Sequence, residues 1–237
     1  MVKNRKNKNQ DNILVIAAHP DDEILGCGGS ICKWKSEGKK INIVILAEGI
    51  TSRSDKRNVS KSETELKKLR EKSKKVGKII GADSVEFLGL PDNRMDTLPL
   101  LDIIKKIEKI IYKLKPNIVL THHAYDLNVD HRIANIAVLT ACRPEPNSFV
   151  KKIMTFETPS STDWSDNSQN TKFNPNFFVD INYFLDIKIK ALKVYDSEMR
   201  VYPHARSYRH IKTLANYRGN SVGLKAAEAL MIIREIS

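Results

Sequence analysis

Long hydrophobic runs are absent from this sequence. The longest candidates, residues 12–18 and 41–47, are only long enough for a strand, whereas a helix that spans a bilayer needs about 20 consecutive apolar residues. Residues 1–11 are basic and lack the apolar core and small-residue cleavage site of a signal peptide. From these absences we predict a cytoplasmic protein with no membrane span, in which residues 1–11 form a disordered basic tail.

Cysteine is also scarce. The 237 residues include Cys27, Cys32 and Cys142, an odd number in apolar surroundings. A chain of this size does not need disulfides to stabilise its core. Cys27 and Cys32 have no matching pair elsewhere that would complete a structural zinc site. We therefore expect reduced, mostly buried thiols.

Acidic residues are outnumbered by basic ones. The chain has 40 Lys and Arg against 28 Asp and Glu, a net charge of +12. Such a charge can attract nucleic acid, but basic positions interleaved with aromatics, which would favour base stacking, are not evident. Between residues 67 and 78 the lysines alternate with Glu71 and apolar positions, as on a solvated helix face. We expect no nucleic-acid partner, and an anionic substrate fits the charge at least as well.

Alternating segments predict the fold. Continuous apolar runs indicate buried strands, and segments with helical periodicity follow them. This order predicts a single α/β domain over residues 12–237, with a Rossmann-like, mostly parallel sheet and helices on both faces. Residues 223–236 have the weakest pattern of the chain, and Glu228 among them fits a helix surface better than a catalytic position. The predicted strands are 13–18, 41–47, 85–88, 118–121, 153–157 and 177–179, and the predicted helices are 24–37, 62–80, 98–114, 130–142, 183–196 and 211–217.

An imidazole and three carboxylates follow the first predicted strand, as His19, Asp21, Asp22 and Glu23. A dinucleotide-binding protein has its glycine-rich turn at this point, and here the glycines come too late to cradle a phosphate. The sequence therefore argues against a nucleotide-binding Rossmann site. On their own, Asp21 and Asp22 are also typical helix caps.

A second cluster follows the fourth predicted strand. His122, His123 and His131, three of the six histidines, lie there within ten residues, together with Asp130. Ligands in an open α/β sheet bind beyond the carboxyl ends of the strands, so we expect the two clusters to be halves of one site. Histidine and carboxylate side chains suit zinc, which in catalytic sites keeps a position for water. A nearby carboxylate that does not bind the metal can take a proton from that water.

These motifs resemble those of the PIG-L/LmbE family of zinc-dependent N-acetyl-sugar deacetylases. The family's A-H-P-D-D-E motif is intact at residues 18–23, its D-H motif matches Asp130 and His131, and the resemblance runs from residue 12 to near the C-terminus. It implies a Zn2+ ion and a small-molecule amino-sugar substrate. The residue roles that it implies are metal binding by His19, Asp22 and His131, general base for Asp21, and substrate contact by Arg53, Asp92, Asn93 and Arg94.

The chain departs from the family at one position. Several members have a histidine three residues before the metal-binding one, where this chain has Asn128. An amide can donate a hydrogen bond to an oxyanion, but it cannot act as an acid. His122 or His123 would then supply the proton, and the sequence does not distinguish between them.

Two further residues are candidates for the substrate pocket. Trp164 lies in a polar loop and could stack on a sugar face, although an ordinary packing role fits equally well. His204 lies in a segment that resembles the family, although most histidines are neither ligands nor catalysts.

The sequence thus predicts a zinc-dependent hydrolase that removes the acetyl group from an amino sugar, giving acetate and a free amine. It does not distinguish a free sugar from a nucleotide-linked or lipid-linked one, or zinc from iron, and it leaves an oligomer open. Two alternatives remain: a metal-dependent hydrolase of another amide or ester, and a non-catalytic basic binding module.

Overall fold

The computed structural model of the protein describes residues 10–53 and 62–237, with only the backbone described at Arg53. Its strands are β1 (Asn12–Ala17), β2 (Lys40–Ala47), β3 (Ser84–Leu90), β4 (Ile118–His122), β5 (Lys152–Phe156), β6 (Phe177–Asp180) and β7 (Ala227–Glu235). Its helices are α1 (Asp22–Ser36), α2 (Glu63–Ile80), α3 (Leu100–Leu114), α4 (Val129–Ala141), α5 (Leu185–Leu192) and α6 (Tyr208–Asn220). Short 3-10 turns lie at Thr51–Arg53, Met95–Thr97 and Lys193–Glu198.

The strands form one seven-stranded sheet in the order β3-β2-β1-β4-β5-β7-β6. The first five strands of that order are parallel, and β7 pairs antiparallel with both β5 and β6. The predicted mostly parallel α/β sheet is therefore confirmed. The unassigned residues 223–236 contain β7, which joins β6 to the rest of the sheet.

Two apolar layers cover the sheet, one on each face. Side chains alternate along β1, so Ile13 and Val15 join one layer while Leu14 and Ile16 join the other. The first layer packs against α1, α2, α5 and α6, and the second against α3 and α4. The expected helices on both faces are present. Because β1 is buried on both sides, its carboxyl end is held firmly in the middle of the sheet.

The helix predictions differ from the structure mainly at their ends. α1 begins at Asp22, two residues before the predicted start, which places that carboxylate in its first turn. The predicted helix 183–196 is divided into α5 and the 3-10 turn Lys193–Glu198, where Tyr195 departs from helical geometry.

Glycine in α1 allows the helix to pack closely on the sheet. A Cβ on Gly26 would lie 2.2 Å from the Phe156 ring. Close approach of α1 to the sheet therefore requires glycine there.

Two expectations from composition can be compared with the structure. Cys27, Cys32 and Cys142 are free and buried, as predicted. Among the described residues, no helix has the length and apolar character needed to cross a bilayer. Residues 1–9 of the predicted tail lie outside the described part of the chain.

Candidate metal and catalytic site

Residues from three strand ends meet at one edge of the sheet. β1 and β4 are hydrogen-bonded neighbours, so His19 and Asp22, which follow β1, lie beside His131 at the start of α4. The loop after β3 brings Asp92 to the same place. The order of the strands thus joins the two sequence clusters at the carboxyl ends of parallel strands, where open α/β sheets bind ligands.

Three side-chain atoms converge at the centre of this edge. Nδ1 of His19 lies 3.3 Å from Oδ2 of Asp22 and 3.3 Å from Nε2 of His131. Nε2 of His131 lies 3.2 Å from the same Asp22 oxygen. When nitrogen and oxygen ligands surround zinc tetrahedrally at about 2.0–2.1 Å, neighbouring ligand atoms are about 3.3 Å apart. The three atoms therefore have the mutual spacing of zinc ligands.

Carboxylates on the far side orient both histidines. Nε2 of His19 lies 3.1 Å from Oδ2 of Asp130, and Nδ1 of His131 lies 3.0 Å from Oδ1 of Asp126. A histidine that presents one ring nitrogen to a carboxylate keeps the lone pair of the other for a metal. In addition, Oδ1 of Asp22 is buried with no hydrogen-bond partner among the described residues, which is costly for a carboxylate unless a cation compensates. The donor set fits a divalent cation such as zinc.

The charges around the histidines favour their protonated forms when no metal is present. Burial lowers the pKa of His19, but its hydrogen bonds with Asp130 and Asp22 outweigh burial and raise that pKa to about 10. Burial also lowers the pKa of His131, but Asp22 and Asp126 outweigh it and raise that pKa to about 9. A metal ion must displace these protons in order to bind. The same negative field that holds the protons would hold a cation.

Asp21 occupies an unusual backbone position beside this centre. Its φ of 118° lies in a region that the backbone of residues other than glycine rarely adopts. Backbone strain of this kind persists where surrounding contacts enforce it. One such contact is the hydrogen bond from its amide to Oε2 of Glu23, at 3.0 Å. Burial raises the pKa of the Asp21 carboxyl to about 7, although the neighbouring Arg206 guanidinium opposes the rise. A buried carboxyl with a pKa near neutrality has the properties of a general base.

Arg206 connects Asp21 to the rim of the site. Its Nη1 donates to Oδ2 of Asp21 at 2.8 Å, and its Nε donates to Oγ of Ser160 at 2.8 Å. Its backbone amide donates to Nδ1 of His204, and the His204 and Trp164 rings form a T-shaped pair with centroids 5.2 Å apart. Trp164 is 54% exposed. The contacts of Arg206 therefore link the loops that carry Trp164 and His204 to Asp21.

Asn128 and Asn93 lie side by side near the candidate metal ligands. Oδ1 of Asn128 accepts from the amides of Asp130 and His131 and caps α4, while its Nδ2 donates to Oδ1 of Asn93 at 2.8 Å. The amide of Asn93 in turn donates to Asp130 at 2.7 Å. Asn128 thus holds the start of α4, which carries His131, and its oxyanion role stays a prediction.

The other residues predicted to face substrate differ in exposure. Asp92 is buried, with Oδ1 at 3.3 Å from Nε2 of His19 and Oδ2 accepting from the amide and hydroxyl of Ser52. Arg94 is half-buried and precedes the turn Met95–Thr97. The side chain of Arg53 lies outside the described residues. Substrate contact by these residues stays a prediction.

His122 and His123 hold different positions at the end of β4. The amide of Ala18 donates to Nε2 of His122 at 2.8 Å, so this nitrogen carries no proton, and burial lowers the pKa of His122 to about 3. The ring stacks on His131 with centroids 3.8 Å apart. Nε2 of His123 lies 2.8 Å from the carbonyl oxygen of Thr171, which requires a proton on that nitrogen. Both rings are therefore engaged with the backbone.

The sequence patterns do not single out Asp126 or Arg206. Asp126 lies within the second cluster, and the only available signal is an extra carboxylate a few residues before His131. Arg206 is 185 residues away from Asp21 along the chain, so no local spacing could connect them. Both residues act on predicted site residues through contacts that only the folded chain creates.

Comparison with known proteins identifies the family. The pattern described as "PIG-L: GlcNAc-PI de-N-acetylase" matches residues 14–142, more than half of the chain. The chain is 30% identical over 191 residues to the uncharacterized deacetylase YaiS of Escherichia coli, covering 78% of the chain and 90% of that protein. It is 27% identical over 226 residues to the diacetylchitobiose deacetylase of Thermococcus kodakarensis, covering 93% and 82% respectively. The chain belongs to the PIG-L family.

Solved structures share its fold. The N,N'-diacetylchitobiose deacetylase of Pyrococcus horikoshii superposes with a TM-score of 0.76 at 21% identity, covering 96% of this chain and 85% of that one. The 4-carboxy-2-hydroxymuconate hydratase GalB of Pseudomonas putida superposes with a TM-score of 0.72 at 22% identity, covering 96% and 98%. The fold thus serves both a deacetylase and a hydratase, and the reaction has to be argued from the site.

Proposed function

We propose that the protein is a zinc-dependent hydrolase that removes the acetyl group from an amino sugar, giving acetate and a free amine. The observation that carries the proposal is the convergence of His19, Asp22 and His131 at zinc-ligand spacing, with the buried carboxyl of Asp21 next in the chain. Relatives named as deacetylases support the reaction. His19, Asp22 and His131 would hold the ion, which when bound supplies Lewis acidity and an activated water.

Asp21 is the proposed general base. Arg206 engages its Oδ2, and we assign its Oδ1 to the attacking water. As the water oxygen bonds to the acetyl carbon, Asp21 takes the proton that the water loses. A pKa near 7 suits a group that must accept and later release a proton at neutral pH.

The proton then has to reach the leaving amine as its bond to the acetyl carbon breaks. Nε2 of His122 accepts from Ala18, and Nε2 of His123 is bound to Thr171, so neither nitrogen is available as an acid in this arrangement. Asn128 has no acidic proton to give. We assign the return of the proton to Asp21 itself, which would act first as base and then as acid.

The rim provides the proposed contacts with the sugar. Trp164 offers an exposed aromatic face beside His204, and sugars present apolar faces that stack on such rings. Asn93, which contacts Asn128, is exposed and carries hydrogen-bonding groups. These features favour a carbohydrate over a purely apolar amide.

Substitution of Asp21 tests this assignment. Asp21→Asn keeps the size of the side chain and removes its basicity, so we expect acetate release to fall by at least 10²-fold, the lower range for a general base, while zinc content stays unchanged. Acetate would be measured with free, disaccharide, nucleotide-linked and lipid-linked N-acetylglucosamine. Full activity of this variant at unchanged zinc content would show that Asp21 is not the base.

The alternatives predict other outcomes in the same assay. A hydratase related to GalB would release no acetate from any N-acetyl sugar while still binding metal. A hydrolase of another amide or ester would hydrolyse such substrates and leave N-acetyl sugars intact. A non-catalytic module would retain no zinc when purified without chelators.

A further inference from the structure

α1 contains a break in the middle of an otherwise continuous helix. Cys27 has φ −147° and ψ 21°, outside the helical region. The break separates a first segment, residues 22–26, which includes Asp22, from a second segment, residues 28–36. The orientation of the first segment therefore need not follow that of the second. Contacts from other parts of the chain have to set the angle between the two segments.

A buried ion pair occupies this break. In an uninterrupted α-helix the amide of Gly29 donates to the carbonyl of Leu25. Here the Leu25 carbonyl accepts from Nζ of Lys188 at 2.8 Å, and the Gly29 amide donates to Oε1 of Glu228 at 2.9 Å. Lys188 and Glu228 are themselves joined at 2.6 Å. The lysine and glutamate thus form a bridge between a donor and an acceptor that a regular helix would pair directly.

The two charged groups also complement the helix ends that the break creates. Oε2 of Glu228 accepts from the amide of Ser30 at 2.6 Å, so the carboxylate binds two amides at the start of the second segment. Lys188 lies at the carbonyl end of the first segment. Anions are favoured at helix N-termini and cations at C-termini. Glu228 lies on β7 and Lys188 on α5, so the sequence-based expectation that Glu228 lies on a helix surface is wrong.

Burial makes this arrangement demanding. Lys188 is 4% exposed and Glu228 is 5% exposed, and two buried charges are tolerated only when each is fully paired. Neither residue touches the metal ligands. Their contacts instead join α5 and β7 to the α1 backbone at Leu25, Gly29 and Ser30, in the turns that follow Asp22.

We propose that the Lys188–Glu228 pair is a positioning device that sets the orientation of residues 22–26 and thereby places the Asp22 carboxylate for the metal. The inference rests on the proposed zinc site. Removing the bridge allows the Gly29 amide to pair with Leu25, as in a regular helix, and Asp22 then moves away from the histidine nitrogens.

The test uses the double variant Lys188→Met/Glu228→Gln, which removes both charges together and leaves neither one buried alone. The matched control is Arg218→Met/Glu157→Gln. That ion pair lines the same small cavity and is joined at 2.6 and 2.9 Å, but its charged groups bond to each other rather than to the α1 backbone.

Two measurements on the full chain give the result. In the first, the visible absorption of bound Co2+ reports ligand geometry, and a competing chelator gives its dissociation constant. We expect the Lys188/Glu228 variant to change the spectrum and to weaken Co2+ binding roughly tenfold, at the low end for residues that support metal ligands, while the control matches the parent. An unchanged spectrum and affinity, or equal changes in both double variants, would overturn the proposal.

The second measurement is independent of metal. Amide chemical shifts of Asp22 and Glu23 in the metal-free protein should change in the Lys188/Glu228 variant and stay at parent values in the control. If shifts change only at Leu25, Gly29 and Ser30, which contact the substituted residues, the positioning role is refuted. A parent protein that binds neither Zn2+ nor Co2+ would instead refute the proposed function, and the amide shifts would still decide the positioning role.

Discussion

At the scale of single residues, the centre depends on pairs in which one side chain sets the properties of another. His131 faces Asp126 and His19 faces Asp130, at 3.0 and 3.1 Å, so each imidazole has one nitrogen turned to a carboxylate and the other to the convergent site. The sequence predicted the members of the centre, because His19, Asp22 and His131 follow strands in recognisable motifs. Their partners could not be predicted with the same ease, since Arg206 reaches Asp21 only through the fold.

Arg206 is the residue whose substitution best separates catalysis from metal binding. Arg206→Met removes the guanidinium from both Asp21 and Ser160, so the proposed base loses its fixed orientation while the proposed metal ligands keep theirs. We expect kcat for acetate release to fall on the order of 10²-fold, the cost of misplacing a reacting group, with zinc content unchanged. Steady-state kinetics and metal analysis on the same preparation check this.

Arg209→Met provides the control for charge alone. Arg209 is exposed and lies over the ring of Tyr202, 4.3 Å from its centroid, so its loss removes the same charge without touching Asp21. Equal falls in kcat for both variants would mean that Arg206 acts through the general positive field and not through its contact with Asp21.

At the scale of elements, α1 shows both what the sequence reveals and what it hides. Its helical periodicity predicted a helix close to the observed Asp22–Ser36. The break at Cys27 was not predictable, because it depends on Lys188 and Glu228, which come from elements far along the chain. β7 was missed for a similar reason: its first four residues are all buried, including a glutamate, and the ion pair that makes this acceptable exists only in the folded protein.

Packing of α1 on the sheet gives a prediction at this scale. Gly26→Ala would place a Cβ 2.2 Å from the Phe156 ring, so the helix or the ring must shift. Overpacking of this kind lowers the free energy of unfolding by about 1–3 kcal/mol. Urea denaturation of the variant and the parent would measure this difference. Gly28→Ala is the matched control, because its Cβ meets Ile24 at 3.0 Å within the same helix. If Gly26→Ala were no less stable than Gly28→Ala, the close approach to Phe156 would not be what requires glycine.

At the scale of the whole molecule, the order of the strands creates the site. β1 and β4 are distant in sequence but adjacent in the sheet, and this adjacency was predictable from the alternation of strands and helices. The rim was less predictable, because it is built by the loops around Trp164 and His204, which have no regular pattern and meet through a ring contact. The general position of the centre therefore follows from topology, while its approach is specific to the folded loops of this chain.

Zinc titration of chelator-treated protein, followed by acetate release from an N-acetyl sugar, is the direct test of the proposed zinc-dependent reaction. We expect no release from the metal-free protein and a rise that reaches its plateau at about one zinc ion per chain, the number that His19, Asp22 and His131 together can hold. His131→Ala should show no such plateau at the same zinc concentrations. Full acetate release without metal, or stoichiometric zinc binding without acetate release from any N-acetyl sugar, would contradict this proposal.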